Sequence, residues 1–349
     1  MTDAALATLR EHLLQALENH PGHETRRLFH GRGRCWPGLE QITVDWLSGV
    51  VLVMLFREPS PALRPLLMEL LETPQWQASG ARGLLLQHRY VQGSESEWLA
   101  GEPQAQWSII EDGLHYLLDL GSKQNSGLFL DMRLGRQCVR EQAAGKRVLN
   151  LFAYTCGFSV AAIAGGATHV VNLDMARAAL SRGRENHRLN GHDLARVEFL
   201  GHELFKSWGK VRKSGPYDLV IIDPPSFQKG SFALTQDYAK ILRRLPELLT
   251  EHGTVLACVN DPDTGTDFLI QGTAADIIKV AMLRVDAALE GKKSRVLLQV
   301  HDELVVEIAP GELDEVREIL EREMDDAIEL LVPLEVSAGT GANWDAAAH

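Results

Sequence analysis

Hydrophobic positions along this chain change their period twice. Near the start, Leu6, Leu9, Leu13 and Leu17 fall on one face of a helix, and the Pro-Gly pair at Pro21 ends it. "QITVDWLSGVVLVMLF" then reads as two strands around a Ser-Gly turn, "PALRPLLMELLE" as a helix and "GLLLQH" as a strand. These elements predict a small α+β module over residues 1–105. From Lys146 onward, short apolar runs alternate with helical stretches. "RVLNLF" precedes "VAAIAGGA", and "HVVNLD" precedes a helix over 176–190. "RVEFLG" follows, then "YDLVIIDPPSF", the helix "YAKILRRLPELL" and the strand "GTVLACVN". Apolar strands separated by helices predict an α/β domain over 106–266, with a mainly parallel sheet covered on both faces. Ligands of such sheets bind at the carboxyl ends of the strands, near the point where strand order reverses.

Over 267–349 the pattern changes again. "IQGTAADIIKVAMLRVDAAL" places Ile278, Met282, Val285 and Leu289 on one helical face, and "RVLLQVHDELVVEIA" reads as a hairpin turning at "HDE". "LDEVREILEREMDDAIELL" is an acidic amphipathic helix, and "VPLEVSAGTGANWDAAAH" a last strand and tail. Charge breaks at the same place. The net charge is −12, from 35 basic and 47 acidic residues; 7 of the basic and 19 of the acidic ones follow Pro262. The residues up to Pro262 are therefore neutral, which predicts no strong nonspecific binding to nucleic acid but leaves room for a local basic patch. "ETRRLFHGRGRCW" is one such stretch. It is either a solvated loop, the default for any single residue there, or a phosphate contact with Arg and Trp suited to RNA.

Four scattered cysteines (Cys35, Cys138, Cys156 and Cys258) form no C-x-x-C pair, which argues against a disulfide framework and against a zinc site. No apolar run approaches the length of a membrane span, and the amino terminus has acids and no apolar core, unlike a signal peptide. A cytoplasmic protein without a membrane partner is expected.

Three strand ends carry candidate chemistry. After "RVLNLF" come small residues (Ala153, Thr155, Gly157, Ser159) that let backbone approach a ligand. Asp174 closes the second strand, where it either accepts hydrogen bonds from ribose hydroxyls or caps the next helix. No G-x-G-x-x-G is present, so the loop alone is a weak signal. "DPPSF" is sharper. Two prolines fix the strand exit and remove two N–H donors, leaving Asp223 and its neighbouring carbonyls toward the ligand side, while Phe227 either stacks on a planar base or fills the core.

At these residues the chain resembles the class I S-adenosylmethionine-dependent methyltransferases that modify large-subunit ribosomal RNA. The resemblance runs from about Arg27 to Phe268, through "GLEQITVDWLSGVVLV", "QNSGLFLDMR", "VLNLFAYTCGFSVAAIAGGA", "VVNLDMA", "GRENHRLNG" and "IIDPPSFQKGSF". It implies a Rossmann-like sheet, S-adenosylmethionine as cofactor and RNA as substrate. Phe152, Ala153, Tyr154, Thr155 and Gly157 would wrap the methionine part of the cofactor. Asp174 would hold the ribose, and Glu203 would lie near the adenine amino group. Asp131 and Arg133 would contact cofactor or substrate. Asp223, Pro224, Pro225 and Phe227 would line the catalytic site, where a splayed-out base meets the methyl group. Related cytosine-C5 enzymes carry a cysteine nucleophile after the fifth strand, because that carbon needs covalent activation. The matching position here is Asn260, as in the guanine-N7 branch, so a guanine ring nitrogen is the expected target. Cys258, within the strand, reads as a small buried hydrophobe, and Cys156 as part of the cofactor loop.

The last stretch resembles, nearly end to end, the palm segment of the DNA polymerase I family, on "QGTAADIIK", "LLQVHDELVVE" and "NWDAAAH". In that family the aspartate of "HDE", here Asp302, holds a catalytic metal ion. Without the flanking match, Asp302 and Glu303 would read as two acids on an exposed turn. Two-metal chemistry needs carboxylates from separate segments, and the partner motif, the fingers helix, the thumb and most of the palm have no counterpart. A catalytically incomplete fragment is expected, with Asp302 as a vestige of a metal site and DNA as a partner only if binding is retained. The chain thus reads as a chimera with its seam between about Thr266 and Gln271. In the methyltransferase family "DFLI" starts a helix and a final hairpin closes the sheet; "LLQVHDELVVE" is expected to take that hairpin's place. The competing functional readings are a polymerase-related nucleic-acid-binding module and a protein without activity.

Overall fold

The structure is a computed structural model. It describes residues 2–19, 22–33, 35–91, 93, 95–120, 125–225, 227–228, 232–261, 266–269, 281–282, 284–300, 303–325 and 338–341. The chain divides into two compact units, Met1–Phe268 and Leu269–His349.

In the first unit, α1 (Asp3–Glu18) begins where the Thr2 side chain accepts the Ala5 N–H at 3.2 Å, and it buries the expected stripe of Leu6, Leu9, Leu13 and Leu17. Strands β1 (Arg26–His30), β2 (Ile42–Leu47), β3 (Val50–Leu55), β4 (Gly83–His88) and β5 (Ser96–Ala100) form a five-stranded sheet in chain order. Only β3 and β4 pair in parallel, across a connection holding α2 (Leu63–Leu71) and α3 (Pro74–Ser79). The β2–β3 turn sits at Ser48 and Gly49, both with positive φ (50° and 107°), as a tight hairpin requires. One core joins α1, α2 and the sheet through Leu9, Leu13, Leu67, Val44, Val53 and Leu84. A second core joins Val50, Leu52 and Leu85 to the hairpin β6 (Gln106–Glu111)–β7 (Leu114–Asp119), through Ile109, Tyr116 and Leu118.

After α4 (Arg133–Gln142) the second sheet begins. Its elements are β8 (Arg147–Leu151), α5 (Gly157–Ala164), β9 (His169–Leu173), α6 (Arg177–Leu189) and β10 (Val197–Leu200). They continue with α7 (Trp208–Lys213), β11 (Tyr217–Ile222), the small hairpin β12 (Phe227–Gln228)–β13 (Phe232–Ala233), α8 (Leu234–Leu242), β14 (Leu249–Asp261) and β15 (Thr266–Leu269). Strand order is β10-β9-β8-β11-β14-β15, and the first five strands pair in parallel. This is the α/β Rossmann-like sheet expected. The chain winds outward from β8 to β10 and then returns beside β8, so the order reverses between β8 and β11. Register aligns Leu200, Leu173, Leu151, Ile222 and Ala257 in one row. Four strands therefore end together, and the residues that follow them share one edge.

The structure corrects three expectations. The helix expected over 238–249 begins earlier, at Leu234, and stops before Pro246, which lies in a short 3-10 turn, Leu245–Glu247. "DFLI" does not start a helix: Asp267 to Leu269 belong to β15, the edge strand beyond β14. Nor does the hairpin β16 (Arg295–Val300)–β17 (Glu303–Glu307) close the large sheet, because it pairs with itself as a separate two-stranded sheet. A strand edge offers one row of backbone donors and acceptors, and β15 already occupies the row beyond β14.

In the second unit, Val285 and Leu289 pack with Val316 and Ile319 of α9 (Leu313–Asp325) and with Val296, Leu304 and Val306 of the hairpin. The expected helix over 270–289 is described only from 281. His301, Asp302 and most of the final strand and tail lie outside the described residues. No described helix is long and apolar enough to cross a membrane.

Candidate functional site

The loop after β8 takes an unusual path. Phe152, Tyr154 and Cys156 all have left-handed φ, at 57°, 46° and 63°. Such a conformation costs an L-residue roughly 1–2 kcal/mol, so the surroundings must hold it. They do so from several sides. The Ala153 N–H donates to the Leu173 carbonyl at 3.0 Å, the Thr155 hydroxyl donates to the Gly127 carbonyl, and Asn186 Nδ2 of α6 donates to the Thr155 carbonyl at 3.0 Å. Gly183 lies directly against the loop: a Cβ there would sit 2.3 Å from Cys156 Sγ. The Cys156 N–H is held as well, by the Ala153 carbonyl at 2.7 Å.

Asp174 follows β9 in the same row. Its Oδ2 accepts the Tyr154 N–H at 2.8 Å and its Oδ1 accepts the Ala176 N–H at 2.7 Å. It thus ties the loop down without capping α6, whose cap residue is Ala176. Burial pushes its carboxyl above the ordinary range, against the pull of those two amides. A carboxylate has about four acceptor positions, so two remain for ligand hydroxyls. Asp174 lines an open, shallow pocket with Phe152, Met175, Glu203, Leu204 and Phe205. Glu203 Oε1 accepts the Phe205 N–H at 2.7 Å, which fixes the short turn Leu204–Lys206 on the pocket's rim. An acid between apolar walls on either side suits a nucleoside, with its hydroxyls at Asp174 and its flat base against side chains.

Asp223 follows β11, across the switch point. Burial, then the like charge of Asp131, pushes its carboxyl up to about 7, while Arg136 pulls the other way. Pro224 is buried and Pro225 half-buried. Beyond them the chain doubles back through β12 and β13, and buried Phe232 meets the Phe152 ring edge-on, 5.1 Å between centroids. Phe227 starts β12, but its side chain lies outside the described residues, as does that of Asn260 in β14.

The row thus brings together Phe152, Ala153, Tyr154, Thr155, Gly157, Asp174, Glu203 and Asp223. Arg133 is differently engaged. It donates to Asp112, with Nε at 3.1 Å from Oδ1 and Nη2 closer still, and to the Thr25 carbonyl at 3.5 Å. Asp131, exposed on the turn before α4, acts on Asp223 through its charge. Sequence reasoning passed over Arg136, whose buried guanidinium holds Glu111 through two bonds of 2.6 and 2.8 Å beside Asp223. It also passed over Phe232, Asn186 and Gly183. The one local signal for the pocket's missed members is Met175, a large apolar residue 44% exposed directly after Asp174.

Residues 26–290 match the family described as S-adenosylmethionine-dependent methyltransferase, and residues 259–346 match DNA polymerase family A. The chain is 30% identical to the ribosomal RNA large subunit methyltransferase I of Aeromonas salmonicida, over 63% of this chain and 57% of that one. It is also 30% identical to the protein of the same name from Escherichia coli O139:H28, over 69% and 62%. It therefore spans about three fifths of the length of these curated relatives. Among solved structures, a methyltransferase in complex with SAH aligns at TM-score 0.64 and 28% identity, over 73% of this chain and 68% of that one. An S-adenosylmethionine-dependent methyltransferase from Streptococcus mutans aligns at TM-score 0.64 and 26% identity, over 84% and 74%. A family match across most of the chain, with the parallel sheet described above, means that the chain belongs to the S-adenosylmethionine-dependent methyltransferases.

Proposed function

We propose that this chain is a cytoplasmic enzyme that binds S-adenosylmethionine and methylates a base of large-subunit ribosomal RNA, at a guanine ring nitrogen rather than at cytosine C5. The observation that carries the cofactor reading is Asp174, with acceptor positions to spare at the rim of an apolar pocket. Bound S-adenosylmethionine supplies an electrophilic sulfonium methyl group. Asp174 would accept hydrogen bonds from the ribose hydroxyls, Glu203 would lie near the adenine amino group, and the 152–157 loop would wrap the methionine part. Asp223, Pro224, Pro225 and Phe227 line the place of the flipped base, with Asp131 at its side. Guanine N7 would form the new bond to the methyl carbon with its own lone pair as the S–CH3 bond breaks and that pair returns to sulfur, with no proton to remove, so the chain's residues need only align the base and exclude water.

The preference for nitrogen rests on the cysteines. Cytosine C5 would need a reachable thiolate, yet Cys156 is fully buried with its thiol pushed far above the ordinary range, and Cys258 is 2% exposed. Residues 267–349 we read as a polymerase palm fragment joined to the methyltransferase, incomplete for two-metal chemistry. The division of the chain at Phe268 supports that seam. A polymerase-type nucleic-acid module is the second reading, supported by the match over 259–346; metal-dependent primer extension by the full chain would revive it.

The deciding experiment is a calorimetric titration with S-adenosylmethionine. Saturable binding that weakens at least tenfold in Asp174→Ala is expected, the scale of a lost hydrogen bond to a charged group. A folded chain that does not bind would overturn the proposal. Labelled methyl transfer to ribosomal RNA should then appear on guanine and survive Cys258→Ser; label on cytosine that disappears in Cys258→Ser, with cofactor binding intact, would point to cytosine C5 instead.

A further inference from the structure

Away from the cofactor pocket, two arginines share one aromatic ring. The guanidinium carbon of Arg32 lies 4.2 Å, and that of Arg89 5.3 Å, from the centroid of Phe56. The fold explains the meeting. β1 and β3 each run antiparallel to β2, and β4 runs parallel to β3. All three strands therefore end at one end of the five-stranded sheet. Arg32 follows β1, Phe56 follows β3 and Arg89 follows β4.

Three nearby arginines of this unit have acid partners: Arg27 with Asp45 at 2.9 Å, Arg133 with Asp112, and Arg136 with Glu111 at 2.6 Å. Among the described residues, neither Arg32 nor Arg89 is ion-paired with a carboxylate. Arg89 Nη2 donates to Asn125 Oδ1 at 3.0 Å, and its Nε is buried without a hydrogen-bond partner. The ring attracts each cation but neutralises neither. Two like charges are thus held beside one another, and burial, then the charges of Arg27 and Arg32, lower the pKa of His30 close by, against the charge of Asp131. An anion seated here would relieve the repulsion and satisfy the planar donor forks.

The patch adjoins the cofactor loop. The Asn125 carbonyl accepts the Tyr154 hydroxyl at 3.4 Å, and the Tyr154 ring lies 5.6 Å from that of Phe129. Asp131 acts through its charge on both His30 and Asp223, which puts the patch and the Asp223 edge in one neighbourhood, and backbone phosphates are the anions that fork-shaped donors hold in register.

We propose that Arg32 and Arg89, both stacked on Phe56, bind a backbone phosphate of the substrate RNA and hold the strand beside the cofactor loop. This rests on the RNA methyltransferase reading above. Fluorescence anisotropy of a fluorescein-labelled single-stranded RNA, titrated with the full chain at several salt concentrations, tests it, with S-adenosylmethionine calorimetry on the same samples. Arg32→Gln and Arg89→Gln should each weaken RNA binding about tenfold, as expected for one charge-assisted contact. The double variant should reduce the salt slope by about 0.7, the value for one phosphate on a single strand, and each single variant by part of that. Cofactor affinity should stay unchanged. Wild-type RNA affinity and slope in Arg32→Gln, which sits on a turn and carries the decision if Arg89→Gln fails to fold, would overturn the proposal. Displacement of the RNA by polyglutamate as effectively as by polyphosphate would also overturn it, because the site would then read charge and not phosphate. Absent cofactor binding in the wild-type chain would sink the methyltransferase reading and leave the RNA result standing on its own.

Discussion

Replacing Asp223 with asparagine keeps its shape and removes its ionisation. In an unfolded chain this carboxyl titrates near 3.8, whereas in the fold burial and Asp131 raise it to about 7. Between those values the folded state holds a proton that the unfolded state has released. Asp223 therefore favours folding below about pH 4, and that contribution is lost as pH rises through about 7. The shift of about three units corresponds to about 4 kcal/mol at about 1.36 kcal/mol per unit. Asp223→Asn should track the wild type with a constant offset below about pH 4. It should gain on the wild type by up to about 1.4 kcal/mol per pH unit toward 7 and hold that gain above it. Urea unfolding across this range, followed by tryptophan fluorescence, measures the difference. Asp131→Asn should lower the upper end of the window, since it removes the like charge. Parallel stability profiles for wild type and Asp223→Asn would refute the reasoning, because Asp223 would then titrate as in the unfolded chain. If the carboxylate form faces the base in turnover, methyl transfer should also inflect near pH 7 in the wild type and not in the variant.

His187 gives the opposite slope. Burial, then His192, lowers it to about 3, so its contribution is fully present above about 6.5 and lost as pH falls toward 3. His187→Gln should flatten the acid limb of the stability profile, measured in the same urea series. Gly183→Ala places a Cβ 2.3 Å from Cys156 Sγ and should cost about 1–3 kcal/mol of overpacking; calorimetry should show cofactor affinity falling with it. Arg136→Met leaves Glu111 buried and unpaired and should cost about 3–5 kcal/mol. Adding Glu111→Met should recover most of the loss in urea melts, and a double variant no better than the single would show that the pair is not the reason.

The sequence by itself determined the elements and the chemistry at their ends. The spacing of Leu6, Leu9, Leu13 and Leu17, the turn at Ser48 and Gly49, the strand–helix alternation after Lys146 and the rigid Asp223-Pro224-Pro225 exit are local statements. They depend on how a segment repeats and which backbone angles its residues allow. Asp174 was legible as a strand-end acid for the same reason, though not the choice between ribose ligand and helix cap. Only the tertiary structure decided what faces what. Asn186 and Gly183 brace the loop from a helix distant in sequence, Phe232 returns onto Phe152, and the β6–β7 hairpin packs against the first sheet. Phe56 gathers Arg32 and Arg89 because three strands happen to end together. Spacing carries no record of such contacts. The same limit explains the error at "DFLI", whose own residues suit a helix or a strand. The open backbone edge of β14, which lies outside that segment, made it a strand.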